Sequence, residues 1–203
     1  MIPNLPPAPA FGEPLEIAAW PEVLAFLARR RSASALTLVE PAPDRATLEA
    51  LLALAARVPD HGKLAPWRFV VLESGPKAAF AARLEALAQA RGDTRAAAKL
   101  GKLKSPPLGV AVVASPVAGE IPEWEQLLSA GAVCTTLLYS AQALGYGANW
   151  ITDWYAYDPE ACALLGLAPQ ERVAGYIFLG TAREAPLERE RPALAPLVSD
   201  WTP

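Results

Sequence analysis

Apolar positions along the chain recur with two periods, and they divide it into helices and strands. PEVLAFLARRR opens on Pro21 and carries Val23, Phe26 and Leu27 at core spacing, with Leu24 beside them; this predicts a helix ending in three consecutive arginines. Asp44 is a predicted N-cap for a second helix, RATLEALLALAARV, which Pro59 stops. RFVVLE (68–73) reads as a strand, and residues 76–100 read as helix broken near Gly92. LGVAVVAS (108–115) is a short valine-rich run and predicts a buried strand. A long helix is predicted from about Pro122 to Leu144; it is apolar nearly all round, which predicts burial on most faces. GANWIT (147–152) is a predicted strand, residues 158–165 a short helix, and RVAGYIFLGTA (172–182) the last strand. The helices do not alternate one for one with strands, which disfavours a doubly wound fold. The pattern predicts an α+β class: a small sheet sandwiched between helices, with one long central helix.

Composition adds a quaternary expectation. The 203 residues suit one compact domain or one subunit of an intertwined dimer. The apolar share, 53%, is high and the charged share, 19%, is low, which raises the expectation of a buried subunit interface. A net charge of −3 argues against a nucleic-acid binder. Cys134 and Cys162 sit in apolar helical contexts outside any CxxC pair and read as two buried thiols in a reducing compartment. MIPNLPPAPAFGEP lacks the basic start and apolar core of a signal peptide and reads as a proline-rich extended arm. No run of about 18 apolar residues is free of charge or proline, so no membrane span is expected and the cytoplasm is the expected location. The predicted organisation is an N-terminal arm (1–20), a central domain (21–183) and a C-terminal arm (184–203).

Several chemistries lack their residues. There is no GxGxxG after a strand, no GxxxxGK[ST] and no GxSxG. One histidine, His61, and two distant cysteines do not make a zinc site, so no metal is expected. Asp60 and His61 are neighbours, a poor placement for a hydrogen-bonded triad, which weakens a hydrolase reading of His61. No side chain is assigned a catalytic role. Three segments remain open. RRRSAS (29–34) offers guanidiniums and hydroxyls to an anion, or simply complements a helix C-terminus in solvent. RVPDHGKLAPW (57–67) offers His61 as a general base, a metal ligand or a cofactor contact, or is a polar connector with an aromatic plug. In GYGANWIT (145–152) the glycines let backbone approach something flat, or they relieve a turn before a core strand.

Taken together and in register, RRSAS (30–34), RVPDHGKLAPWRFVVLE (57–73), PEWEQLLSAG (122–131), GYGANWIT (145–152) and GYIFLGTA (175–182) resemble the flavin-dependent nitroreductase family, in particular its branch of small NAD(P)H nitroreductases. The likeness covers roughly residues 21–183. It implies an α+β, nitroreductase-like fold with a central, mostly antiparallel sheet, an intertwined homodimer, and FMN at the subunit interface. It implies that Arg30, Arg31 and Ser32 hold the phosphate and ribityl end, that Trp150, Ile151 and Thr152 lie along the cofactor from the same chain, and that Arg57 and His61 reach in from the other chain. NADH or NADPH would deliver hydride to flavin N5, and a small electron-poor acceptor, a nitroaromatic or quinone, would then be reduced in ping-pong order. An FMN-binding protein without turnover is the alternative. The chain departs from the family in places. Ser34 stands where many members carry a basic residue near flavin N1/O2, so Arg57 or Lys63 is left to supply that charge. Ile151 follows the tryptophan where a basic residue is frequent, and Arg183 is a second phosphate candidate.

Overall fold

The structure is a computed structural model and describes residues 7–203; the first six residues of the expected N-terminal arm lie outside the described residues. Five antiparallel strands form its centre: β1 (Leu38–Val39), β2 (Trp67–Leu72), β3 (Leu108–Ala114), β4 (Gly147–Ile151) and β5 (Arg172–Ala182). β5 is the hub. It pairs β3 along one edge, while β4 and then β1 pair its other edge, and β2 pairs the far side of β3. The helices are α1 (Pro21–Arg29), α2 (Arg45–Ala55), α3 (Ser74–Ala90), α4 (Thr94–Lys99), α5 (Gly101–Lys104), α6 (Glu123–Ala143) and α7 (Pro159–Leu164).

Side-chain alternation along the strands sends each set of apolar residues to one face. Tyr176 and Phe178 of β5 pack with Phe80 and Leu84 of α3, Leu103 of α5 and Ala161 of α7. Ile177 and Leu179 point the other way, into Leu48 and Leu51 of α2 and Val133, Cys134 and Leu137 of α6. Both faces of the sheet are therefore covered, and every residue of β3 is buried, which is why that strand reads as a continuous apolar run.

Local signals act as expected at several joints. The Asp44 carboxylate accepts from Thr47 N at 2.8 Å and starts α2. Gly92 takes φ +68, a left-handed conformation that ends α3, and Asp93 then caps α4 through Ala96 N at 2.8 Å. Two expectations are corrected. α1 forms where its stripe predicts, but that stripe does not enter this chain's core: Val23 and Leu27 are 50% and 46% exposed, and the half-buried Phe26 meets the Tyr139 ring in a T-shaped pair. The sheet faces are already filled by the other helices, so α1 is left outside. The long helix α6 is buried along Gln126, Val133, Leu137 and Ala141, yet Trp124 and Leu128 are 68% and 55% exposed, so it is not buried on most faces within one chain. The two-residue strand β1 is too short to leave a periodic signal.

An ion pair locks β2 to the turn before β5. Glu171 accepts from Arg68 Nε and Nη2, both at 2.7 Å, and from Ala168 N at 2.9 Å. Its hydrogen bonds with the Arg68 guanidinium, foremost, hold the Glu171 carboxyl at about 2 against an ordinary 4.5. A folded-state value below the unfolded one stabilises above the unfolded value and is lost on acidification. Glu171→Gln should therefore be less stable than the parent at neutral pH, and the gap should close between pH 4.5 and about 2 in denaturation midpoints measured across pH. A gap that stays constant through that window would remove Glu171 from the acid response.

Candidate cofactor site

α1 is capped by Arg30, whose extended backbone turns the chain back toward the last turn of α6. Arg30 Nε donates to Gln142 Oε1 at 3.0 Å, Nη2 donates to Ser32 Oγ at 3.3 Å, and the guanidinium lies 5.1 Å from the centroid of the Tyr139 ring. Gln142 closes the clamp from its other end: Nε2 donates to the Arg31 carbonyl at 2.7 Å. Arg30 thus has a fixed orientation and only neutral acceptors. Ala33 N donates to Ala148 O at 3.1 Å, and Asn149 Nδ2 donates to Ala33 O. These bonds bring the segment Arg30–Ala33 beside the start of β4, the strand that carries Trp150 and Ile151 and leads into Thr152. Ser34 is used locally, accepting from Leu36 N at 3.3 Å in the turn that follows.

A cavity of about 240 Å³ opens at this junction, with Phe26, Arg30, Arg31, Gln142, Tyr146 and Pro186 in its lining. Asn149 Oδ1 is buried with no partner among the described residues, an acceptor that lacks a donor. Neither Gln142 nor Asn149 is among the residues expected from sequence. The available signal was an amide in an otherwise apolar helix end and another in an apolar strand, since a polar group placed there needs a partner.

Trp150 projects from β4 onto the backbone of Gly175. A Cβ at position 175 would lie 2.0 Å from the indole Nε1, so only glycine admits the ring at this distance. The pairing of β3 with β5 shifts register here, from Val112 opposite Gly175 to Val113 opposite Val173, and the irregularity re-aims the strand beneath the indole. Ile151 is half-buried, and Thr152 Oγ1 accepts from Tyr157 Oη at 2.8 Å.

Arg57 and His61 stand at the opposite end of α6. Asp60 does not pair with His61; its carboxylate accepts from Leu64 N at 3.2 Å and Ala65 N at 2.7 Å, supporting the left-handed φ of Lys63 (54°) and Ala65 (46°). His61 Nδ1 instead donates to Glu125 Oε2 at 2.7 Å. Trp67 Nε1 donates to Ser129 Oγ at 3.1 Å, and Ser129 Oγ donates to Pro59 O at 2.8 Å, fastening the loop to the first half of α6. Arg57, His61 and Lys63 are exposed. About 25 Å of helix separates Glu125, which holds His61, from Gln142, which holds Arg30, so one chain does not bring His61 to Arg30. Arg183 is exposed, and its backbone N–H is bonded to Thr37 O at 3.0 Å.

Cys134 and Cys162 are free thiols, the first buried and the second half-buried. Burial pushes the Cys134 thiol up to about 12 and raises Cys162, so neither is an activated nucleophile. A larger cavity, about 700 Å³, lies between α7 and the start of β5; Tyr157, Cys162 and Glu171 are in its lining, and none of Arg30, Arg31, Ser32, Arg57, His61, Trp150, Ile151 and Thr152 is.

An antiparallel sheet covered by helices on both faces, with an arginine clamp at the end of its longest helix, defines an α+β fold of the nitroreductase type. The chain belongs to the nitroreductase family: the model of that family matches residues 27–181. It is 33% identical over 165 residues, 79% of this chain and 88% of the relative, to the Escherichia coli K12 protein named "Putative NAD(P)H nitroreductase YdjA". It is also 33% identical over 177 residues, 83% of this chain and 92% of the relative, to a Haemophilus influenzae protein named "Putative NAD(P)H nitroreductase". The crystal structure of a nitroreductase-like family protein from Bacillus cereus shares the fold with TM-score 0.79 at 18% identity, covering 91% of this chain and 98% of that one. A nitroreductase with bound FMN from Bacteroides fragilis superimposes with TM-score 0.68 at 22% identity, covering 89% and 99%. No helix among the described residues is long and apolar enough to cross a membrane.

Proposed function

We propose that this chain is an FMN-dependent oxidoreductase that takes hydride from NADH or NADPH and reduces an electron-poor acceptor such as a nitroaromatic or quinone. The observation that carries this reading is the junction at residues 30–33 and 148–150. Two arginines without a buried counter-acid, an orphaned Asn149 acceptor and a glycine shelf under Trp150 meet there. That donor and acceptor set fits a phosphorylated, flat, hydrogen-bonding cofactor. The names of the relatives in E. coli and H. influenzae support the nicotinamide donor, and the FMN bound by the B. fragilis protein supports the flavin.

Arg30, Arg31 and Ser32 would hold the phosphate and ribityl end, with Gln142 fixing the direction of Arg30. Trp150, Ile151 and Thr152 would line the ring system, and Asn149 Oδ1 would accept from a hydroxyl or N–H of the ligand. FMN, when bound, supplies the hydride acceptor and donor chemistry; the protein binds, orients and tunes it. His61 serves as a positioning group in this scheme, because its Nδ1 is committed to Glu125 and Asp60 is committed to the loop backbone.

The 25 Å between the two half-sites favours a homodimer with the FMN between subunits, in which the Glu125 end of one α6 meets the Gln142 end of the other. The partner subunit's Arg57 and His61 would then complete the site, and Arg57 would supply the charge near N1/O2 that Ser34 does not. Exposed Val23, Leu24, Leu27, Trp124 and Leu128 are the apolar surface such a partner would cover. The flavin domain would span residues 21–183, flanked by arms at 1–20 and 184–203.

An absorption spectrum of purified protein tests the reading. Flavin bands, or their appearance with added FMN, and anaerobic bleaching by NADH or NADPH are expected. Protein that stays colourless with FMN defeats the proposal; protein that binds FMN but is not bleached by either nicotinamide is a flavin binder without this turnover.

A further inference from the structure

We propose that Glu188, carried on the C-terminal arm, is a built-in competitor for the anion site at Arg31, so that the arm releases this arginine when a phosphate group enters. The inference rests on the phosphate role proposed for Arg30 and Arg31. The two arginines are held differently. Arg30 faces Gln142, Ser32 and the Tyr139 ring, all neutral. Arg31 is held by the arm: its Nε donates to Leu187 O at 2.9 Å and lies 3.7 Å from Glu188 Oε1. Pro186, just before them, forms part of the cavity wall. Among the described residues no other carboxylate pairs with either arginine, so the arm brings the one acid of the site.

Glu188 is itself held in place. Its Oε1 accepts from Arg189 N at 2.7 Å and from Arg191 Nε at 3.1 Å, and forms an ion pair with Arg191 Nη2 at 3.0 Å. These bonds, with Arg31 nearby, keep the Glu188 carboxyl below its ordinary value and hence ionised at neutral pH. The carboxylate is more than half exposed, so its pairing with Arg31 is weak and screened by salt. A phosphate monoester carries more charge and three acceptor oxygens, and Arg recognises it bidentately. The pair is therefore strong enough to occupy Arg31 and weak enough to yield to a phosphate dianion. When it yields, Leu187 O loses its donor, and the arm through Arg191 loses a tether to the domain.

The test compares the wild-type chain with Glu188→Gln, Arg31→Gln and the double variant by FMN titration at low salt. Glu188→Gln should bind FMN about threefold more tightly, the gain should shrink at high salt, and it should vanish in the Arg31→Gln background. Unchanged or weaker binding by Glu188→Gln overturns the proposal. Limited trypsinolysis after Arg189 reads the arm without flavin, using inorganic phosphate as the probe. Phosphate should speed cutting of the wild type, while Glu188→Gln should be cut fast from the start and be insensitive to phosphate. If none of the four forms takes up FMN, the flavin reading fails by itself; phosphate-stimulated cutting then still sustains the Glu188 competitor, and indifference to phosphate overturns it.

Discussion

Chains carrying Arg30→Ala, combined with chains carrying Arg57→Ala, should recover flavin binding that neither variant has alone. Arg30→Ala removes the oriented guanidinium of the clamp and should weaken FMN binding by about ten- to a hundredfold, the worth of a charge-assisted contact. Arg57→Ala should cost roughly tenfold on the same grounds. In the proposed dimer each homodimeric variant would carry its lesion in both sites. In a mixed dimer one site collects both lesions and the other collects none. Random assortment makes about half of the dimers mixed, so about a quarter of wild-type sites should return, with wild-type affinity. FMN fluorescence quenching of co-refolded chains reads this directly. A site built within one chain gives no recovery at any mixing ratio, and that outcome would end the shared-site reading.

Leu137→Ala should lower stability by about 2–5 kcal/mol in chemical denaturation. Leu137 is fully buried on the inner face of α6, among Leu48, Leu51, Ile177 and Leu179, where helix and sheet interlock on all sides. Truncation there leaves a cavity that the rigid β3–β5 ladder cannot collapse to fill. Leu128→Ala on the same helix is the control. Leu128 is more than half exposed in one chain, so its loss should change the stability of a dissociated subunit by no more than about 0.5 kcal/mol. In the proposed dimer the same change should instead weaken association. Similar losses for both variants in a monomeric chain would mean that the inner and outer faces of α6 are wrongly assigned.

The buried elements were legible because each carries a periodic signal tied to its environment. β3 and β5 lie within a residue of their predicted bounds, and Asp44 and Gly92 act where their chemistry says they should. α1 shows the limit of that logic. Val23, Phe26 and Leu27 form the same stripe whether they face their own sheet or another subunit, so periodicity identifies the helix without saying which core it serves. The candidate site can be proposed from its charged and aromatic residues, but its connections leave no signal in the sequence. Arg30 and Ser32 draw attention by type, but Gln142 lies more than a hundred residues away and only folding makes it their clamp. Nor does any local pattern announce that Asp60 serves the backbone of Leu64 and Ala65 while Glu125 serves His61, since both choices depend on where α6 passes the loop. The tie between Arg31 and Leu187 is hidden for the same reason.

The span of α6 also governs how the protein would hold its cofactor in dilute solution. In the proposed dimer half of each site would lie at either end of a 21-residue helix, and no isolated subunit would offer a complete one. Flavin retention would then be a matter of mass action between subunits: dilution should release FMN, and excess FMN should draw subunits together and raise the apparent melting temperature. Cofactor loading and assembly would be one equilibrium, read equally well from colour or from size.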